Sequence, residues 1–333
     1  MKKIFCLIAA WNFCTVWGQD SSAITINQPL DSGISSEKVI DTGSAVLSNP
    51  GKPEKKRVII VAAGNAAFFT GSMIALYNTW YSAYPQTNFH FFDDNGEWLQ
   101  VDKIGHAFTA YSISRVNMET IKWAGLKRKH YIWYGGLSGA AYQTMIETFD
   151  GFSSHWGWSW GDFGANIFGS SLLVSQQLIW DEQRITMKFS FHSKDYGTEQ
   201  LNGRADDIYG NKLLERMLKD YNGQAYWLSG NLKSFFKKSN LPPWLNIAFG
   251  YGADDMFGAL YNNWTDENGV YIVHDTDRPR YRQFYLAPDI DLTKIKTKSK
   301  FLRTTFSLLN SFKFPAPAIE FSQGKIKGHW IYF

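Results

Sequence analysis

After residue 14 the sequence holds no cysteine. Cys6 and Cys14 both fall within the first eighteen residues, so the remainder can form no disulfide and offers no thiol nucleophile. Packing alone must hold it together. Gly-x-Ser-x-Gly, His-Glu-x-x-His and a glycine-rich strand-to-helix turn are also missing, which removes the serine-hydrolase elbow, the zinc-protease helix and the phosphate loop. Charge of one sign is scarce. The formal net charge is +4, and Lys2 and Lys3 supply two of those charges. A surface that binds nucleic acid needs a larger basic excess, so no nucleic acid partner is expected.

Lys2 and Lys3 precede a mostly apolar run, Ile4 to Trp17, with small residues Val16 and Gly18 before a cleavage point. This is the pattern of an export signal over residues 1–18, leaving Gln19 as the new N-terminus. The run is too short to span a membrane as a mature helix; an uncleaved anchor is the competing reading. Lipidation at Cys14 is another, against which stand the bulky Trp11-Asn12-Phe13, where a lipoprotein signal carries small residues. The expected location is the bacterial cell envelope, in the periplasm or at the outer membrane. The 14 Trp, 17 Tyr and 25 Phe suit a membrane interface, where one side of a ring is wet and the other apolar. Ordinary core packing is the plain alternative. Membrane or envelope components are the expected partners.

Residues 19–57 are rich in Ser, Gly, Asp and Pro without periodicity and read as a flexible leader ending in Lys52, Lys55, Lys56 and Arg57. Residues 58–182 read as four helices: Val58 to about Tyr84, about Val101 to Trp123, about Tyr131 to Phe149, and about Asp162 to Trp180. The first carries no charge from Val58 through Tyr77 and is long enough to cross a bilayer. Its basic flank lies on the wrong side for a simple span after export, so a helix buried at the centre of a bundle is preferred. From residue 183 onward short alternating pieces predict strands, including 187–192, 246–251 and 283–292. Amphipathic helices are expected at about Ala205 to Asp220 and at Lys300 to Phe312. The fold class is therefore α+β: an N-terminal four-helix bundle of apolar helices, then a β-rich C-terminal region. The closing Lys327-Gly328-His329-Trp330-Ile331-Tyr332-Phe333 resembles the sorting signal of outer-membrane barrels, although too few strands are visible for the eight a barrel needs.

Polar residues in the helical half gather at three places. Asp102, Lys103 and His106 form the first, with Asp102 and His106 four apart on one helix face. Glu147 and Asp150, three apart, form the second. Ser159, Asp162 and Asn166 form the third. Such groups on apolar helices cannot stay unpaired if buried. One outcome is an interhelical network through Asp102, Lys103, His106, Glu147, Asp150, Ser159, Asp162 and Asn166. Another is a divalent metal held by His106, Glu147, Asp150 and Asp162, a donor set suited to Zn, Mn or Fe(II). The third is catalysis by the same four residues, one of them acting as general base toward water. The other histidines (His90, His130, His155, His192, His274, His329) stand alone in the sequence. Gly135, Gly136 and Gly139 on the third helix, and Gly161, Gly164 and Gly169 on the fourth, have the spacing of close helix packing.

These clusters, in this order, resemble the YfiM-like family of predicted periplasmic lipoproteins, a domain of unknown function. The residues that carry the resemblance are Asp102-Lys103 with His106 and Phe108, then Glu147 with Asp150, then Gly157-Trp158-Ser159-Trp160 with Asp162 and Gly169. They cover about residues 75–182. The chain departs from that family in lacking a convincing lipidation motif and in adding a strand-like C-terminal half. A looser similarity links Asp102-Lys103 and His106, a following Glu, and Asp162, Asn166 and Gly169 to VanZ-like membrane proteins. Both resemblances imply location and architecture rather than a reaction. Three functions are then in play: a structural or accessory envelope component at the outer membrane, a metal-dependent hydrolase of a lipid or cell-wall substrate, and an outer-membrane barrel with a helical cap.

Overall fold

The structure, a computed structural model, describes residues 53–79, 81–265, 269 and 271–332. The export signal with Cys6 and Cys14, most of the leader, and Phe333 lie outside the described residues.

Helices come first. Helix α1 spans Lys55–Thr79. Helix α2, Val101–Trp123, has Asp102 in its first turn, where the amide dipoles favour a carboxylate. An irregular π-type turn at Tyr131–Gly135 leads into α3, Ser138–Gly151. Helix α4, Trp160–Ile179, starts at Ser159, whose side chain accepts a hydrogen bond from the Asp162 N–H at 3.1 Å. The chain enters α2 through three consecutive left-handed residues, Trp98, Leu99 and Gln100, with φ of 48°, 49° and 65°. Trp98 N–H donates to Ala259 O at 2.7 Å and the Tyr251 hydroxyl donates to Leu99 O, so the sheet half holds this turn in place.

Helix α2 lies between α3 and α4, and glycine lets the backbones meet. A Cβ on Gly139 would sit 1.9 Å from Ala110 O, and one on Gly169 would sit 2.0 Å from Ala107 O. Gly164 meets nothing within 4 Å, so it takes no part in this packing. The preferred place for the first helix is corrected. Helix α1 is long and apolar enough to cross a membrane, yet only 11% of its most apolar window is buried. It touches α2 and α3 at the side, where Phe68 clusters with Ile113 and Tyr142, and does not form the centre of a bundle.

The helix-to-strand change falls between Ile179 and Ile185. Strands β1 (Ile185–Phe191), β2 (Gln224–Asn231), β3 (Leu245–Asp254), β6 (Tyr281–Ile290), β7 (Ala316–Ser322) and β8 (Lys325–Tyr332) form one antiparallel sheet in that order. A small pair, β4 (Trp264–Thr265) and β5 (Tyr271–Val273), stands apart. Helices α5 (Glu199–Tyr209) and α6 (Leu213–Lys219) replace the single helix expected at 205–220. Gly210 parts them at φ +81°, a conformation that ends a helix and that glycine adopts without strain. Helix α7, Lys300–Leu309, is shorter than expected at its C-terminal end.

The sheet curls strongly. Trp227 on β2 and Tyr332 on β8 have ring centroids 5.8 Å apart although three strands separate them in the sheet. The far edge of β1 is taken by residues 311–313, through Phe189 N–H to Ser311 O and Lys313 N–H to Phe189 O, both 2.9 Å. Phe108 of α2 meets Phe189 of β1 and Tyr226 of β2 at 5.9 and 5.7 Å, so helices and sheet share one core.

Gly169→Leu is expected to lower stability by on the order of 3 kcal/mol, because the backbone contact with α2 leaves no room for a side chain. Gly164→Ala, in open space, should raise it by up to about 1 kcal/mol through helix propensity. Thermal denaturation of the two variants checks the contrast.

Candidate functional site

Three helices and one loop bring the polar clusters together. From α2, Lys103 Nζ lies 2.8 Å from Asp162 Oδ1 of α4, 3.6 Å from its neighbour Asp102, and 2.7 Å from Asp94 in the loop before α2. His106 Nδ1 lies 3.3 Å from Asn166 Oδ1 and from Gln143 Nε2, and 3.6 Å from Glu147 Oε1. His106 Nε2 lies 3.9 Å from Asp162 Oδ2. Ser159 completes the ring of contacts: its Oγ donates to Asp94 Oδ1 at 2.5 Å, and its N–H donates to Glu147 Oε2 at 3.4 Å. All eight residues expected in a polar network are present at one place or bound to its margin.

The expected ligand set needs adjustment. Asp150 turns aside and accepts a hydrogen bond from Tyr81 at 2.6 Å. Asp102 takes its place: Asp102, His106 and Asp162 offer ligand atoms that all lie within 4.8 Å of one another. Glu147 borders this trio and is 1% exposed, and its Oε1 has no hydrogen-bond partner. A buried carboxylate oxygen left in that condition is costly unless something else approaches it.

The cluster faces a cavity of about 250 Å³. Its lining includes Asp94, Glu97, Asp102, His106, Glu147, Asp150 and Asp162 together with the apolar or aromatic Trp98, Phe108, Phe189, Met217 and Tyr226. Six carboxylates thus line a space beside two cationic side chains, Lys103 and His106. Asp102 is fixed from the sheet side by the Tyr221 hydroxyl at 2.8 Å.

Crowding of like charge in a dry place shifts the acids upward. Burial pushes Glu147 up to about 8, with Asp162 and Asp150 adding to the rise and His106 opposing it. Burial likewise raises Asp162 to about 7 and Asp150 to about 6. For His106 burial disfavours the charge, but Asp162, Asp102 and Glu147 outweigh it and lift the imidazole to about 9. Burial also opposes the charge on Lys103, yet Asp102 and Asp162 hold it above the ordinary lysine range. Asp94 loses by burial as well, and contacts with Asp162, Lys103 and Ser159 still hold it below the usual range.

Several participants carry little signal in the sequence. Asp94 belongs to an ordinary-looking turn, Asp93-Asp94-Asn95-Gly96, and Tyr81 and Tyr221 look like any other aromatic residues. Gln143 lies one turn before Glu147 on α3, and that spacing is its only mark. The histidines that stand alone in the sequence find partners in the fold. His329 pairs with Glu320 at 2.8 Å inside the curled sheet, and His192 packs on Tyr332 at 5.4 Å. His155 stacks on Tyr84 at 4.3 Å, which is aromatic packing.

The raised acids fix the sign of a pH effect. A carboxyl whose folded pKa exceeds its unfolded value stabilises the fold fully below the unfolded value, and that contribution fades as pH rises through the folded value. Raised His106 acts in the same direction. With chelator present, the melting temperature should therefore fall by several degrees between about pH 5 and pH 9, since about 1.4 kcal/mol accompanies each tenfold change in proton affinity on folding. Glu147→Gln should flatten that fall; a melting profile with the wild-type slope would show that Glu147 does not titrate in this window.

Residues 90–177 match the model of a family described as a predicted periplasmic lipoprotein of unknown function, DUF2279. The match runs from the loop carrying Asp94 to the end of α4, so it contains the whole cluster except Tyr81 and the sheet-side tyrosines. No curated protein and no solved structure matches the chain. The family match supports an uncharacterised exported envelope protein, in agreement with the coarse content of the first resemblance, and is silent on the YfiM-like and VanZ-like names.

Proposed function

We propose that the helical half is a divalent-cation-assisted hydrolytic site of an envelope protein, acting on an amphiphilic envelope substrate such as a lipid or a cell-wall precursor. The observation that carries the reading is the convergence of Asp102, His106 and Asp162 within 4.8 Å of one another, with Glu147 Oε1 at 3.6 Å from His106, in a cavity lined by both carboxylates and apolar side chains. Two carboxylates and one imidazole suit Zn, Mn or Fe(II) and leave coordination positions for water and substrate. A bound cation would polarise the scissile carbonyl or phosphoryl group.

Glu147 has the position of the proton carrier. It stands 3.6 Å from His106 and is buried away from bulk water. In hydrolysis the carboxylate takes a proton from the attacking water, the resulting hydroxide adds to the electrophilic centre, and the proton passes to the departing oxygen. Water is thereby split between the two products and the enzyme returns to its starting state. The apolar part of the lining, Phe108, Phe189 and Met217 among it, gives an acyl or prenyl portion of a substrate a place to lie. The outer membrane is taken as the address, on the support of the aromatic content.

A second reading has its own observation. Lys103 already touches Asp94, Asp102 and Asp162, so the cluster also works as an ion-paired pin that fixes α2, α4 and the preceding loop in an accessory protein.

Elemental analysis and metal titration of purified protein separate the two. The hydrolytic reading expects one Zn, Mn or Fe per chain, with affinity lowered at least 10-fold in Asp162→Asn and Asp102→Asn. Absence of stoichiometric metal in the wild type, with a lowered melting temperature in both variants, favours the pin.

A further inference from the structure

The sheet keeps its buried ions on one face only. Its concave face is buried and holds both an aromatic cluster, Trp227, Tyr285 and Tyr332, and these charged groups. Lys188 Nζ lies 2.7 Å from Asp289 Oδ2, Lys313 Nζ lies 3.7 Å from the other oxygen of that carboxylate, and all three side chains have no exposure. Ser229 donates to the same carboxylate at 2.6 Å, and Glu320 accepts from His329 at 2.8 Å further along. The convex face is apolar and open. Where α2 packs on it, Phe189 and Tyr226 are covered; beyond that patch it is bare.

The register shows that this bare area is continuous. Leu228, Phe249, Leu286 and Ile319 stand opposite one another across β2, β3, β6 and β7. The next row on the same face runs through Phe284, Phe321 and Ile326. Phe249 is 63% exposed and Trp330, on β8, is 90% exposed. Neither row carries a charge. A soluble sheet that left this face to water would show the ions and hide the aromatic rings.

We propose that the convex face of the sheet seats the protein on a lipid bilayer, with its side chains in the acyl layer just beneath the headgroups. Strands that keep their buried ions on the inner face and none in the outward rows match the arrangement that lipid imposes. Among the described residues the sheet has six strands and none pairs with the outer side of β8, and unpaired backbone groups cannot lie in hydrocarbon. The chemistry therefore fits a one-sided seat. Trp330 on β8, 90% exposed, suits the boundary between acyl chains and headgroups. Helix α1, apolar and mostly uncovered, adds a second surface of the same character. The proposal does not rest on the hydrolytic reading of the helical cavity.

The test uses the full chain with Cys6 and Cys14 changed to serine and one cysteine introduced at a time: Phe249→Cys and Ile319→Cys on the convex face, and Asp207→Cys on exposed α5. Each is labelled with an environment-sensitive fluorophore and mixed with vesicles of phosphatidylethanolamine and phosphatidylglycerol whose acyl chains carry a quencher. Several-fold quenching at 249 and 319 with little at 207 is the expected result. Equal quenching at all three positions, or protein that fails to float with vesicles, overturns the proposal. So does a dimer in lipid-free buffer that shields both convex-face labels and stays intact with vesicles present. The double variant Phe249→Glu, Ile319→Glu should melt near the wild-type temperature, because neither side chain is covered, and should float at least 10-fold less. Unchanged flotation of that folded variant also overturns it.

Discussion

Lys103 is the contact on which the helical half depends. An ammonium group buried among apolar helices is tolerable only if carboxylates surround it, and Asp94, Asp102 and Asp162 do so from three segments of chain. That requirement draws α4 and the loop before α2 onto α2. Gly169 permits the approach by letting α4 reach the α2 backbone, and Ser159 links the N-terminus of α4 to Asp94. With those elements fixed, His106 and Glu147 have little freedom to lie elsewhere. Six carboxylates then face two cations, Lys103 and His106, and on the hydrolytic reading a divalent cation would offset that excess.

The same rule governs the sheet half with different partners. Asp289 sits between Lys188 and Lys313, one from β1 and one from the segment that closes the edge of β1. The ion group therefore ties β6 to the β1 edge across the two strands between them. The charged groups share the concave interior with Trp227, Tyr285 and Tyr332, and the strand alternation leaves the uncharged Leu228, Phe249, Leu286 and Ile319 on the outside. A helical half with an acidic cavity and a sheet with an apolar exterior are joined through Phe108, Phe189 and Tyr226. In a molecule seated on lipid by its sheet, that shared core would hold the cavity at a fixed position relative to the membrane surface.

Much of the outline was legible along the chain. Helices α2, α3 and α4 follow from their apolar runs, and β1, β3 and β6 from strict alternation. The pairs Asp102/His106 and Asp162/Asn166 were readable because four residues make about one helical turn. Other features were not. Helix α1 has the composition of a core helix and of a membrane helix alike, and composition does not say what covers it. The split between α5 and α6 turned on one left-handed glycine. Asp94 and Tyr81 lie in or near loops with no periodicity to mark their direction.

The sequence by itself determined the class of the molecule, the order of helices before strands, and the short list of ionisable residues that burial would force together. Local chemistry suffices for these, since period, charge and helix-face spacing are properties of neighbouring residues. Tertiary structure alone decided which acid joins His106, with Asp102 recruited and Asp150 diverted to Tyr81. It also decided which face of the sheet is hidden. Both outcomes depend on segments far apart in the chain meeting in space, and in a sheet that alternates polar and apolar residues either face can become the interior until long-range ion pairs such as Lys188 with Asp289 choose one.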